Sequence, residues 1–187
     1  MTDGKQLIRK EISEYKKTLN SETAAYLSQT ICRRLVQTEV FRNARSIALY
    51  CALPDEVQTA ALIEDWRDRK TISLPVVEGE NIDFHVYEGK EKLVRSAFGI
   101  LSPDATMKIP REDIDLVIVP GVAFDRKCNR IGRGKGFYDR FLTGSDKPAV
   151  GLCFGFQLKE AVSAETHDRQ MDMVITEDEI IVSPRRR

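Results

Sequence analysis

Gly132, Gly134 and Gly136 alternate with Arg133 and Lys135 in the run R-I-G-R-G-K-G-F-Y-D, and Asp139 closes it. Alternating glycines let a backbone bend close to an anion and present its N–H groups, while the intervening cations neutralise charge. A helix starting near Phe137 would add its N-terminal dipole. An acid beside such a cradle suits Mg²⁺, which takes one or two carboxylates together with phosphate oxygens. The chemistry is that of a polyphosphate site. The run is not a P-loop, because Lys135 is followed by Gly136 and Phe137 instead of Ser or Thr, nor is it G-x-G-x-x-G. A basic turn between a strand and a helix would use the same residues, so by itself the loop leaves both readings open.

Three further segments carry residues that could join it. Lys5 and Arg9 are four positions apart, which puts both on one helical face, as either a site or a solvated surface. In L-P-D-E-V, Glu56 follows the end of a strand, where ligands gather in α/β sheets; a helix-start acid would look the same. In H-D-R-Q-M-D-M-V-I-T, His167, Asp168 and Asp172 precede a short strand, or form a polar turn.

The elements that must position these residues can be read from periodicity. Leu7, Ile8, Ile12, Tyr15 and Leu19 predict one helix; Tyr26, Leu27, Ile31 and Leu35 predict a second, with Asn20-Ser21-Glu22 breaking and capping between them. Residues 46–51 and 71–77 read as strands around a helix over 57–69, and 82–87 as a half-exposed strand after the turn Glu78-Gly79-Glu80. D-L-V-I-V at 115–119 is the expected central strand. A helix starts at Gly136, 149–154 is a buried strand, and 173–176 a short edge element. Alternating strands and helices imply one α/β domain over 1–187 with a mostly parallel or mixed sheet.

Twenty-nine basic and 29 acidic side chains give formal neutrality, which argues against a general nucleic-acid binder. The N-terminus lacks the apolar core of a signal peptide and no run reaches the length of a membrane span. Cys32, Cys51, Cys128 and Cys153 are scattered, without C-x-x-C or zinc spacing. Cys51 and Cys153 are expected in the core and Cys128 exposed in its loop. A reduced, cytoplasmic protein is expected, with no membrane or nucleic-acid partner, and a monomer.

Taken in order, K-x-x-x-R at Lys5 and Arg9, L-P-D-E at Leu53 to Glu56, P-G-V-A-F-D, R-I-G-R-G-K-G-F-Y-D-R and M-D-M-V-I-T resemble the 5-formyltetrahydrofolate cyclo-ligase family through nearly the whole chain. The resemblance implies a three-layer α/β/α sandwich and conversion of 5-formyltetrahydrofolate to 5,10-methenyltetrahydrofolate, with ATP as co-substrate and Mg²⁺ as metal. By the same resemblance Lys5, Gln6, Leu7, Ile8, Arg9, Arg130, Ile131, Gly132, Arg133, Gly134, Lys135, Gly136, Phe137 and Tyr138 form the ATP contacts. Arg9, Cys51, Glu56 and 133–137 form the folate side, Asp139 and Asp172 the Mg²⁺ ligands. Arg9, Arg133 and Lys135 carry the charge neutralisation of catalysis. The apolar tip Phe98-Gly99-Ile100-Leu101 and Phe137 could pack on the folate rings.

Two departures are visible: G-I-L-S-P puts Ser102 where the family has an acid, and Phe137 stands where Tyr is common. Two other chemistries use the same residues. One is a sugar-phosphate isomerase or acyl-transferase relative that binds phosphate without ATP hydrolysis; the other is a nucleotide or RNA binder using the basic loop and the tail Arg185-Arg186-Arg187.

Overall fold

The computed structural model describes residues 2–96, 99–104, 106–163 and 168–184. Phe98, His167 and Arg185 to Arg187 lie outside the described residues. Asn20 divides the N-terminal helical region: its side chain accepts the Thr23 N–H at 2.8 Å, capping a new helix and separating α1 (Thr2–Thr18) from α2 (Ser21–Gln37). Thr38 repeats the device, accepting from Phe41 N–H at 3.3 Å to start the short α3 (Glu39–Asn43), which the sequence reading did not separate. The chain continues through β1 (Ser46–Ala48), α4 (Ala60–Trp66), β2 (Thr71–Glu78), β3 (Asn81–Val86), β4 (Leu93–Arg95), β5 (Leu101–Pro103), β6 (Lys108–Ile109), β7 (Leu116–Pro120), β8 (Ala123–Asp125) and β9 (Arg130–Ile131). Next come α5 (Phe137–Leu142), β10 (Ala149–Leu152), β11 (Leu158–Lys159), β12 (Met173–Ile175) and β13 (Ile180–Val182).

Eight strands form the main sheet in the order β13-β12-β10-β7-β1-β2-β3-β6. The five from β12 to β2 run parallel, and β13, β3 and β6 pair antiparallel at the two sides. The fold is therefore α/β with a mixed sheet, as expected. Strand periodicity sorts β7 across two cores: Leu116 and Ile118 meet the helical face with Ile31, Leu35, Phe41 and Ile63, whereas Val117 and Val119 meet the other face with Phe124 and Leu142. The second face is covered by α5 together with a three-stranded sheet, β11-β8-β9. Outside that small sheet lies α1, docked through Ile8 and Ile12 on Val122, Ala123, Ile131 and Val162.

The register of the sheet is fixed by an acid. Asp115, directly before β7, accepts from the Arg45 and Ser46 N–H groups at 2.7 and 3.0 Å, and its own N–H donates to Ser46 O at 2.9 Å. One residue thus latches the starts of β1 and β7. On the second face, the ring of Phe124 fills the space over Gly151, where any Cβ would lie 2.4 Å from it. That close approach explains a glycine inside a buried strand.

Several expectations change. Leu7 is 66% exposed and Tyr26 68%, because α1 docks on the narrow small sheet and α2 offers only its Ile31 and Leu35 face to the core. The helix expected over 57–69 is confined to α4, since 53–59 is a hydrogen-bonded loop: Thr59 Oγ1 donates to Tyr50 O at 2.5 Å and Gln58 Nε2 to Leu53 O and Glu56 O, both at 2.8 Å. The expected edge element, β12, is flanked by β13, with Val174 opposite Ile181. Cys128 is buried, not exposed: the turn between β8 and β9 folds against the sheet, where Met171 N–H donates to Cys128 O. Burial pushes its thiol up to about 11.

Candidate active site

From α1, Arg9 reaches the glycine loop and Lys5 does not. Arg9 Nε donates to Gly132 O at 2.9 Å; Lys5, one turn earlier, pairs with Asp168 at 2.8 Å. Between them Gln6 and Leu7 are exposed, while Ile8 packs against the small sheet. The loop leaves β9 at Ile131 and enters α5 through Gly136, with Gly134 at φ +96° and Gly136 at φ +69°. These left-handed conformations strain any residue with a Cβ, so glycine at 134 and 136 is a geometric requirement. Arg140 clamps the far side, its Nη2 donating to Lys135 O at 2.9 Å. The Lys135 side chain projects into solvent, and its ammonium makes no hydrogen bond or ion pair among the described residues.

Opposite the loop, the segment after β1 presents two acids. Glu56 is 9% exposed; one carboxylate oxygen accepts from Leu53 N–H at 3.0 Å and the other from Arg133 Nε at 3.1 Å. Asp55 accepts from Arg133 Nη2 at 2.6 Å and from Lys16 Nζ at 3.0 Å. Burial pushes the Asp55 carboxyl up, but the hydrogen bonds and charges of Lys16 and Arg133 outweigh it and hold it below the ordinary carboxylate range. Lys16 and Asp55 were not singled out from the sequence: a lysine near the end of an amphipathic helix carries no signal of its partner.

Beneath the loop, Arg130 is almost wholly covered, with 5% of its side chain exposed. Its Nη2 donates to Asp139 at 2.8 Å and its Nη1 to Pro120 O at 3.3 Å, and its guanidinium lies 5.8 Å from the Tyr138 ring centre. Expected as an ATP contact, Arg130 here braces Asp139 and the end of β7 from below. Tyr138 sits where Glu56, Arg130 and Cys51 all influence its hydroxyl: burial and then the Glu56 charge push it far above its ordinary range, and Arg130 partly offsets them. Cys51 is half-buried against the helical core, and burial pushes its thiol up to about 11. It is therefore a neutral wall residue at pH 7. Cys51→Ala is expected to keep turnover within about threefold of the parent, and a steady-state assay checks this. Gln157, also missed, holds the exit of β7 by donating from Nε2 to Gly121 O and Val122 O at 3.0 and 2.8 Å.

The structure does not bring Asp172 to the loop. Asp172 directly precedes β12; its Oδ2 accepts from Ala149 N–H at 2.8 Å and its own N–H donates to Ala149 O at 2.8 Å. This is the Asp115 arrangement repeated at the start of β10. Asp139 is tied through Arg130 to Pro120, which pairs with Leu152 at the other end of β10. The rise from Ala149 to Leu152 is about 10 Å, so the two acids are anchored at opposite ends of the parallel strands. Arg169 also pairs with Asp172, at 3.1 Å. Asp139 fits an Mg²⁺ site shared with phosphate oxygens; Asp172 fits a strand latch. Asp172→Asn, which keeps the acceptor and removes the charge, is expected to retain turnover within about threefold. Asp172→Ala is expected to lose about 1–3 kcal/mol for the orphaned N–H, read as a lower Tm. A turnover loss in Asp172→Asn at unchanged Tm would restore it as a ligand. Ser102, where the family has an acid, is buried in β5 opposite Val94.

Comparison with known proteins gives a consistent result. The family model described as the 5-formyltetrahydrofolate cyclo-ligase family matches residues 1–177. The 5-formyltetrahydrofolate cyclo-ligase of Haemophilus influenzae is 31% identical over 176 residues, covering 89% of this chain and 94% of that protein. That of Escherichia coli is 29% identical, covering 90% and 98%. The solved structure of Aquifex aeolicus 5,10-methenyltetrahydrofolate synthetase superposes with a TM-score of 0.88 at 32% identity, covering 96% of this chain and 93% of that one. The chain thus belongs to the 5-formyltetrahydrofolate cyclo-ligase family, with the glycine loop braced by Arg9 and Arg140 and facing the buried Glu56 as its candidate site.

Proposed function

We propose that this protein converts 5-formyltetrahydrofolate to 5,10-methenyltetrahydrofolate, consuming ATP and releasing ADP and phosphate. The observation that carries the reading is the division of labour around the loop: Lys135 projects an unengaged cation beside two left-handed glycines, and the buried Glu56 carboxylate stands across from it. One side suits a triphosphate, the other the N–H edge of a pterin.

The chemistry asks for both. A formamide carbon is a poor electrophile and its oxygen a poor leaving group. Attack of the formyl oxygen on the γ-phosphorus, with ADP departing, places the phosphoryl group on that oxygen and makes the attached carbon electrophilic. N10 then attacks that carbon and loses its proton, and phosphate leaves with the former formyl oxygen. Catalysis is positioning plus charge neutralisation, with no protein nucleophile. Arg9, fixed on Gly132 O, and Lys135 supply positive charge at the loop; Arg133 joins them once Glu56 releases it. Glu56, braced by Leu53 N–H, accepts from the pterin, and an unpaired N–H there would be costly. Asp139 would hold Mg²⁺, which would screen the phosphate charge. Tyr138 and Phe137 give the pocket an aromatic wall. Among the described residues no helix is long and apolar enough to cross a membrane.

The test is the absorbance of methenyltetrahydrofolate on mixing protein, 5-formyltetrahydrofolate and Mg²⁺, with and without ATP. Growth only with ATP is expected. A folded protein that binds nucleotide but forms no product in either sample would overturn the reading.

A further inference from the structure

Arg133 is committed to two acids at once. Its Nη2 meets Asp55 and its Nε meets Glu56, while the second Asp55 oxygen is held by Lys16, whose side chain is only 9% exposed. The four charges sum to zero, and they join α1, the strand-end segment and the glycine loop into one network. In this arrangement Glu56 is occupied by Arg133, and Arg133 is not turned to a phosphate. Each can meet its own ligand only when their mutual contact opens, so whichever ligand arrives first removes part of the work facing the second. Asp55 differs from Glu56 in having a second, buried cationic partner that fixes its orientation. It can keep its hold on Arg133 after Glu56 has let go.

We infer that Asp55, oriented by Lys16, is a positioning residue that retains Arg133 at the glycine loop while Glu56 exchanges Arg133 for the folate, so that folate and ATP bind with positive coupling. This rests on the cyclo-ligase reading. Loss of Asp55 leaves Arg133 untethered once folate occupies Glu56, and the triphosphate must then order a mobile arginine, with the entropic cost that entails. Without folate, the same substitution removes a competitor for Arg133, so nucleotide alone binds at least as well as before. A general structural defect would weaken both ligands together and would not produce that split.

The experiment titrates a non-hydrolysable ATP analogue into the full chain with Mg²⁺, in the presence and absence of 5-formyltetrahydrofolate. For the parent protein, folate is expected to tighten the analogue by about tenfold, within the usual range for coupled sites. For Asp55→Asn the analogue alone is expected to bind no more weakly than to the parent, while the folate-linked gain shrinks below about twofold. Lys16→Gln is expected to shift both in the same direction, and it keeps the test open if Asp55→Asn does not fold. A full folate-linked gain in a folded Asp55→Asn or Lys16→Gln, or its absence in a parent protein that binds both ligands, would overturn the inference. A parent protein that binds neither ligand would overturn the proposed function and this inference with it.

Discussion

Lys135→Ala is expected to lower turnover by about 10²–10³-fold, the scale of deleting one preorganised charge partner from a transition state, and to leave Tm within about 1 °C. Both halves follow from the same observation. The side chain is exposed and its ammonium makes no hydrogen bond or ion pair among the described residues, so the folded state loses little when it is truncated. What disappears is a cation held by a backbone that two left-handed glycines and the Arg140 clamp keep in one path. Lys135→Arg should recover only part of the rate, because a broad planar fork on a shorter alkyl stem does not replace a compact ammonium in a tight loop. Steady-state rates at saturating ATP, alongside a thermal melt, check the pair. Turnover within threefold of the parent in Lys135→Ala would mean that the loop holds something other than the transferred phosphate.

Asp139→Asn is expected to lower turnover by about 10²-fold or more and to raise the Mg²⁺ concentration needed for half-maximal rate. The second readout separates a metal role from a structural one. Asn retains an acceptor for Arg130 Nη2, now at 2.8 Å from the carboxylate, but the pair loses its charge, and a stability cost of about 1–3 kcal/mol is expected because Arg130 is covered. Rates must therefore be normalised to folded protein. An unchanged Mg²⁺ requirement, with a rate loss that tracks stability alone, would reassign Asp139 to bracing Arg130. Set beside Asp172→Asn, the experiment contrasts two acids that the sequence could not tell apart.

Why they could not be told apart is physical. An aspartate before a strand and an aspartate at a helix start are both favoured locally; which one faces a ligand depends on where the strand ends are carried. Asp115, which shows the latch role most plainly, sits before the most apolar strand of the chain, and in one dimension it is only a boundary residue. The parts of the fold that were legible were those with strong periodicity or strong punctuation, such as Asn20 between two helices, the turn at Gly79 and the run at 115–119. The small sheet β11-β8-β9 was not, because pairs of two or three residues repeat too few times to show a period. Its consequence, the burial of Cys128 at the turn, was hidden with it. In the site, the glycine loop stood out by type and spacing, whereas Arg9 and Glu56 were picked out only by the family resemblance. Lys16, Asp55 and Gln157 were not picked out at all, since each works through a partner at least several residues away on another element.

The strand order also bears on synthesis. Every residue placed here in the nucleotide and folate pockets precedes residue 143, yet β7, the central strand, receives one of its two neighbours, β10, only from residues 149–152. As the chain leaves the ribosome, there is an interval in which the whole pocket has been made but the most hydrophobic strand still presents an open hydrogen-bonding edge. Such an edge invites pairing with another nascent copy. A chain halted just after α5 would therefore possess all of its ligand contacts in sequence and still be a candidate for aggregation rather than catalysis.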